Sequence, residues 1–184
     1  MPASFTRMDQ STVDDWMEIG AQTSANQGRV ADSLLGLLRS LAQITDGFGT
    51  DQLTHCLQTA TIAERSGADD EIVFAALLHD VGKAISVPNH PAIAAEIIRP
   101  YVSSDVYEMI RVHQDFQGRH YYAHFGGNPD ARETHRGSLT AEQWTLAETF
   151  ADDWDQKAFD PSYDTLPLEH FEPLVRRVTA QSRM

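Results

Sequence analysis

A chain of 184 residues with 41% apolar and 22% charged side chains is long enough for one domain with a full hydrophobic core, and its composition argues against disorder. A formal net charge of −13 argues against non-specific nucleic-acid binding, which rests on cationic patches, and leaves any anionic ligand to be held locally. The single cysteine, Cys56, excludes an intrachain disulfide; with no apolar run of membrane-span or signal-peptide length, the expectation is a soluble cytoplasmic protein with no membrane partner.

The segments read almost entirely as helices. Ser11 or Thr12 can cap a short helix to about Gln22. Val30, Leu34, Leu37, Leu38 and Leu41 recur at helical spacing and predict a second helix over about 27–44. TDGFG at 45–49 reads as a turn. Asp51 then caps a helix to about Arg65, which SGADD at 66–70 ends. Asp69 or Asp70 opens EIVFAALLHDVG, apolar nearly all round and therefore the expected central buried helix. Asn89 and Pro91 open a helix ending near Pro100, and Ser103 or Ser104 caps another to about Gln114. Residues 115–137, rich in Gly, His and Tyr, form the longest irregular stretch, and such a loop inside a compact domain is often functional. A helix begins at Ser138 or Thr140 and runs through Trp154, DPSYDTLP is a turn-rich linker, and a last helix starts near Leu168. With no strand pattern, the expected fold class is an all-α helical bundle. It forms a single domain over 1–184, with a core over about 27–161, an N-terminal helix within 1–26 and a C-terminal helix within 162–184.

Two inward faces end in an imidazole. Ile72, Ala75, Ala76 and His79 share one face of the central helix, and Val106, Met109, Ile110 and His113 repeat the spacing on a later one. A single core histidine is more often a hydrogen-bonded core residue than a ligand. Several imidazoles and carboxylates buried together are different, because each needs a partner and one metal ion can serve them all. Adjacent side chains such as His79 and Asp80 point about 100° apart on a helix. The pair could therefore serve two neighbouring ions, with Asp80 bridging them.

His55, followed by LLHDVGK with its His79–Asp80 pair, resembles the signature of the HD superfamily: a His, a His-Asp pair and a distant Asp. The resemblance covers roughly His55 to Pro161 and implies a helical bundle with a dinuclear metal site in its core. Most HD proteins are phosphohydrolases, in which metal-bound water attacks a phosphate ester. A smaller branch, the mixed-valence diiron oxygenases, includes myo-inositol oxygenase and phosphonate-cleaving oxygenases. It uses four His and two Asp for two irons, Fe(II)/Fe(III).

Several segments are similar to that branch. QLTHCLQ at 52–58 is similar to the stretch around its first ligand, His90 in NHPAIAAEII matches the third His, and His113 matches the fourth. HQDFQGRHYYAHFGGNPDAR resembles a loop of small HD oxygenases. WDQKAFDP at 154–161 resembles the segment carrying the last metal Asp, which a gapless match puts at Asp155; Asp152 and Asp153 are its competitors. Asp155 shares a helical stripe with Trp144, Ala147 and Ala151, whereas Asp152 shares one with Thr145 and Glu148 that reads as solvated. The implied metal ligands are thus His55, His79, Asp80, His90, His113 and Asp155, with Asp80 and Lys83 in catalytic roles.

The sequence departs from the oxygenases that act on a primary-amine hydroxyphosphonate. Phe48 stands where they carry an iron-binding Tyr, and their amine-reading Glu and phosphonate-binding Lys are missing. A substrate without N–H donors fits these losses, because a trimethylammonium group prefers aromatic faces. The expectation is an organophosphonate-catabolising oxygenase. It would use O2 to cleave the C–P bond of a 1-hydroxy-2-(trimethylammonio)ethylphosphonate-like substrate to glycine betaine and phosphate. Lys83, Gln117, Arg119, Tyr121, Tyr122 and Tyr163 are the expected substrate contacts. The alternative is a phosphohydrolase acting on a nucleotide or small phosphate ester.

Overall fold

The computed structural model describes residues 5–183 and is all-helical, with no strand among them. Its α-helices are α1 (Val13–Gln27), α2 (Val30–Ser40), α3 (Gln52–Arg65), α4 (Asp70–Leu78), α5 (His90–Ile98), α6 (Ser104–Gln117), α7 (Ala141–Thr149) and α8 (Leu168–Thr179). None is long and apolar enough to cross a membrane.

Side-chain caps set most starts. Thr12 and Asp15 form a reciprocal capping box on α1, and Thr140 and Gln143 do the same on α7. Asp51 accepts the Thr54 N–H at 2.9 Å on α3, and Ser103 accepts that of Val106 on α6. α4 is the core of the bundle. Val73 through Leu78 are all buried, and α3, α6 and α8 pack around it. Phe74, Leu77 and Leu78 are fully buried there, and a Leu-to-Ala change at such a site costs about 2–5 kcal/mol. A second, smaller cluster of Val112, Phe116, Trp144, Ala147 and Ala151 joins α6 to α7.

The structure differs from the sequence-based boundaries in four places. α1 continues to Gln27, and Gly28–Arg29 separates it from α2, so the expected 27–44 helix is shorter and ends in a 3₁₀ turn at Leu41–Gln43. α4 stops at Leu78, because Asp80 leaves helical geometry at φ −105°, ψ 5° and a 3₁₀ turn follows over Val81–Ala84. α6 runs on to Gln117, and the 115–137 stretch contains three 3₁₀ turns, at Gly118–His120, Tyr122–Phe125 and Ala131–His135. The helix expected through Trp154 ends at Thr149 and opens into a π-turn at Phe150–Trp154 and a 3₁₀ turn at Asp155–Lys157. Wide turns of this kind occur mostly where a helix must re-aim its side chains.

Candidate metal centre

Five elements point buried polar side chains at one place. His55 comes from α3, His79 and Asp80 from the end of α4, His90 from the first residue of α5, His113 from α6 and Asp155 from the turn after α7. All six are buried, between 0% and 5% exposed. Gly82 allows the approach of α5: a Cβ there would lie 2.2 Å from the His90 carbonyl oxygen.

The side chains form two connected halves. His55 Nε2 lies 3.1 Å from His79 Nε2 and 3.0 Å from Asp155 Oδ1, and His79 Nε2 lies 3.4 Å from Asp155 Oδ1. Asp80 Oδ2 faces this half, 3.5 Å from His55 Nε2 and 3.4 Å from His79 Nε2. Asp80 Oδ1 faces the other half, 3.0 Å from His90 Nε2 and 3.5 Å from His113 Nε2. The donor atoms of His55, His79 and Asp155 all lie within 4.8 Å of one another, as do those of His79, Asp80 and His113. Asp80 thus joins the halves with one oxygen each.

The four imidazole tautomers follow from their other nitrogens. Nδ1 of His55 meets the Ala158 carbonyl at 2.9 Å, that of His79 the Ala76 carbonyl at 2.8 Å, that of His90 the Val87 carbonyl at 2.8 Å and that of His113 the Ile110 carbonyl at 2.7 Å. A carbonyl only accepts, so each Nδ1 carries the proton and each neutral ring turns a bare Nε2 inward. Bare nitrogens 3.1 Å apart repel unless a cation or a proton lies between them. Asp80 Oδ1 and both oxygens of Asp155 are also buried with no hydrogen-bond donor. Orphaned donors of this kind, all nitrogen and carboxylate oxygen, fit metal ions.

Without metal, a proton is drawn in. Burial disfavours the imidazolium of His79, but the carboxylates of Asp80 and Asp155 outweigh it and raise the pKa well above 6.5. Burial works against the carboxylates too, yet His79 and the neighbouring imidazoles hold Asp80 and Asp155 below the usual range. His113 is pushed down by burial and stays neutral. In the metal-free protein, the carboxylates, with depressed folded pKa values, stabilise above the ordinary Asp range and lose that contribution as pH falls through the folded values. His79, with a raised folded pKa, contributes fully below 6.5 and loses its contribution as pH rises through the raised value. The Tm of the metal-free protein is therefore expected to fall on the alkaline side. Metal-loaded protein should lack that fall, since the ion replaces the proton. Calorimetric Tm profiles that coincide with and without metal would contradict this.

Asp155 rather than its acidic neighbours enters the cluster, on the stripe of Trp144, Ala147 and Ala151, which is buried throughout. The N–H of Asp155 reaches the carbonyls of both Ala151 and Phe150. Asp153 pairs with Lys157 at the surface. Asp152, expected on a solvated face, accepts two bonds from the buried guanidinium of Arg132. That ion pair corrects the expectation: Asp152 keeps the face it shares with Glu148, but Arg132 from the 115–137 loop covers that face and bonds both carboxylates.

A cavity of about 470 Å³ opens onto the cluster beside Asp80, Lys83 and His90. Lys83 donates to Asp80 Oδ2 at 2.7 Å and to Gln52 Oε1 at 2.9 Å. Phe48 stacks on Phe159 at 4.6 Å, and Phe159 stacks on His55 at 4.2 Å, making an aromatic wall with Asp46 beside it. Of the expected substrate contacts, Lys83, Gln117 and Tyr121 line this cavity. Arg119, Tyr122 and Tyr163 are not among its lining residues. Arg119 is exposed on its 3₁₀ turn. Tyr122 folds back over Gly118, where an added Cβ would come within 2.5 Å of its ring. Tyr163 lies under the Arg65 guanidinium, 5.5 Å from ring centre to cation.

Sequence reasoning missed Gln114, Gln156, Gln58 and Arg132. Gln58 and the Asp160 backbone exchange two hydrogen bonds, which hold the segment whose Ala158 carbonyl orients His55. Gln114 could have been found as the residue after a candidate ligand. A lone Arg in a polar loop carried no such signal.

A helical bundle with imidazoles and carboxylates buried around one point could hold metal ions there. The model for the HD domain matches residues 53–159, more than half of the chain, and the chain belongs to that family. HD domains bind divalent metal ions and are typically metal-dependent enzymes, and the clustered side chains could hold such ions. No curated protein matches the chain.

Proposed function

We propose that this protein is a diiron oxygenase that uses O2 to cleave the C–P bond of a 1-hydroxy-2-(trimethylammonio)ethylphosphonate-like substrate. Substrate and O2 would give glycine betaine, phosphate and a proton. The observation carrying this reading is the donor set: four imidazoles with bare Nε2 atoms and two carboxylates, of which Asp80 offers one oxygen to each half. Nitrogen and carboxylate donors without thiolate suit iron. His55, His79, Asp155 and Asp80 would hold one ion, and His90, His113 and Asp80 the other. When bound, the iron pair supplies the redox chemistry toward O2.

The chain's own residues bind and orient. Lys83 keeps positive charge against the shared carboxylate. Phe48, backed by the Phe159 ring stacked on it, and Tyr121 would offer ring faces to a trimethylammonium group, a contact worth about 0.5–2 kcal/mol, and Asp46 adds negative charge beside them. Phe159 also covers His55, so the His90 half is the one the cavity reaches.

The test is anaerobic loading with Fe(II), partial oxidation, and EPR with and without the hydroxyphosphonate, followed by turnover in air. The expected results are a mixed-valence signal perturbed by substrate and equal amounts of O2 consumed and phosphate released. A phosphohydrolase is the second reading, because a carboxylate shared by two metal sites serves hydrolysis equally well. Phosphate release from a nucleotide or simple ester without O2 uptake would put it in place of the first.

A further inference from the structure

The polar side of the cavity holds a built network that the metal cluster does not use. Arg132, 2% exposed, donates to Asp152 Oδ1 at 2.7 Å and Oδ2 at 3.0 Å, to Glu148 at 3.3 Å and to the Phe116 carbonyl. Partial burial works against the Asp152 carboxylate, but Arg132 and His120 outweigh it and hold its pKa below the usual value. Asp152 Oδ1 also lies 2.7 Å from His120 Nε2. A carboxylate only accepts, so His120 carries a proton on Nε2, and its Nδ1 has no protein partner among the described residues. The His120 ring lines the cavity, near Gln114, Gln117 and Gln156. Lys83, which also lines the cavity, is already bonded to Asp80 and Gln52.

We propose that His120 binds the anionic oxygens of the cavity's ligand through Nδ1, and that Arg132 is its positioning residue, acting through Asp152. The free face of Phe48, backed by Phe159, then takes the cationic end, so the cavity reads both ends of a zwitterion. An imidazole anchored at Nε2 by a carboxylate is held in one orientation, with Nδ1 turned away from that carboxylate. Protonated, its Nδ1–H gives a charge-assisted hydrogen bond to a phosphonate or phosphate oxygen. The bidentate fork of Arg132 keeps Asp152 from turning toward solvent, which a lysine could not do in the same geometry.

The inference rests on the zwitterion of the proposed function, but its test does not need turnover. Calorimetric titration of anaerobic Fe(II)-loaded full chain uses two probes, methylphosphonate for the anionic end and choline for the cationic end. His120→Ala is expected to weaken methylphosphonate about 10- to 100-fold, the loss of one hydrogen bond to a charged group, and to leave choline within about twofold. His120→Gln, which keeps an amide donor, should recover part of that loss. Arg132→Lys should give a smaller loss of the same selectivity, about 3- to 10-fold. Iron content, measured alongside, should stay at the wild-type level in the His120 variants. Equal weakening of both probes, loss of iron, or no methylphosphonate binding by wild type would overturn the proposal. A selective loss in a protein that shows no O2-dependent turnover would retain this assignment and refute the oxygenase reading alone.

Discussion

Asp80→Ala and His79→Ala are each expected to strip the metal and abolish turnover. Asp80 offers one oxygen to each half of the cluster, so its removal takes a ligand from both. It also leaves the half-buried Lys83 cation with only the Gln52 hydrogen bond. His79 sits between Asp155 and Asp80 at 3.4 Å from each, and its loss uncovers two buried carboxylates whose charges then repel. Metal ions contribute several kcal/mol of transition-state stabilisation, so the expected loss of kcat/KM is at least about 1000-fold. Metal analysis by mass spectrometry beside steady-state kinetics checks both. A variant of either kind that keeps its full metal complement would contradict the cluster as described.

Gly82→Ala should damage the site without touching a ligand. The new methyl group would lie 2.2 Å from the His90 carbonyl oxygen and 2.7 Å from its Cα, both backbone atoms that cannot swing aside. α5 must then move off the turn after α4, carrying His90 away from Asp80. Overpacking of this severity costs about 3 kcal/mol, which for a chain of this length lowers Tm by roughly 6–12 °C. Metal affinity is expected to fall about 10- to 100-fold, the size seen when ligand orientation is disturbed. Calorimetry and metal competition measure the two effects separately. A stable Gly82→Ala protein with unchanged affinity would show that α5 is not held against that turn.

Much of this arrangement was readable one-dimensionally. The central helix was legible because EIVFAALL is apolar on every side, and only a helix enclosed by others tolerates that. His79 and His113 were legible because each follows a core stripe at helical spacing. Capping residues announced three starts: Asp51 outright, and the pairs Ser103 or Ser104 and Ser138 or Thr140, of which the structure uses Ser103 and Thr140. The substrate contacts were less legible, since the 115–137 loop has no period from which a facing direction can be inferred. Tyr122 turns over Gly118 while its neighbour Tyr121 lines the cavity.

The sequence by itself determined the helical class, the buried central helix and the residue types able to hold metal, because these depend on local periodicity and chemistry. Only the tertiary structure brought Asp155, the aspartate that its buried stripe favoured, within 3.0 Å of His55 and 3.4 Å of His79, because that approach depends on the turns after α7. It alone paired Arg132 with Asp152 and fixed the imidazole tautomers. Those depend on contacts between distant segments and on where a backbone carbonyl lies: the oxygen that orients His55 belongs to a residue 103 positions further along the chain.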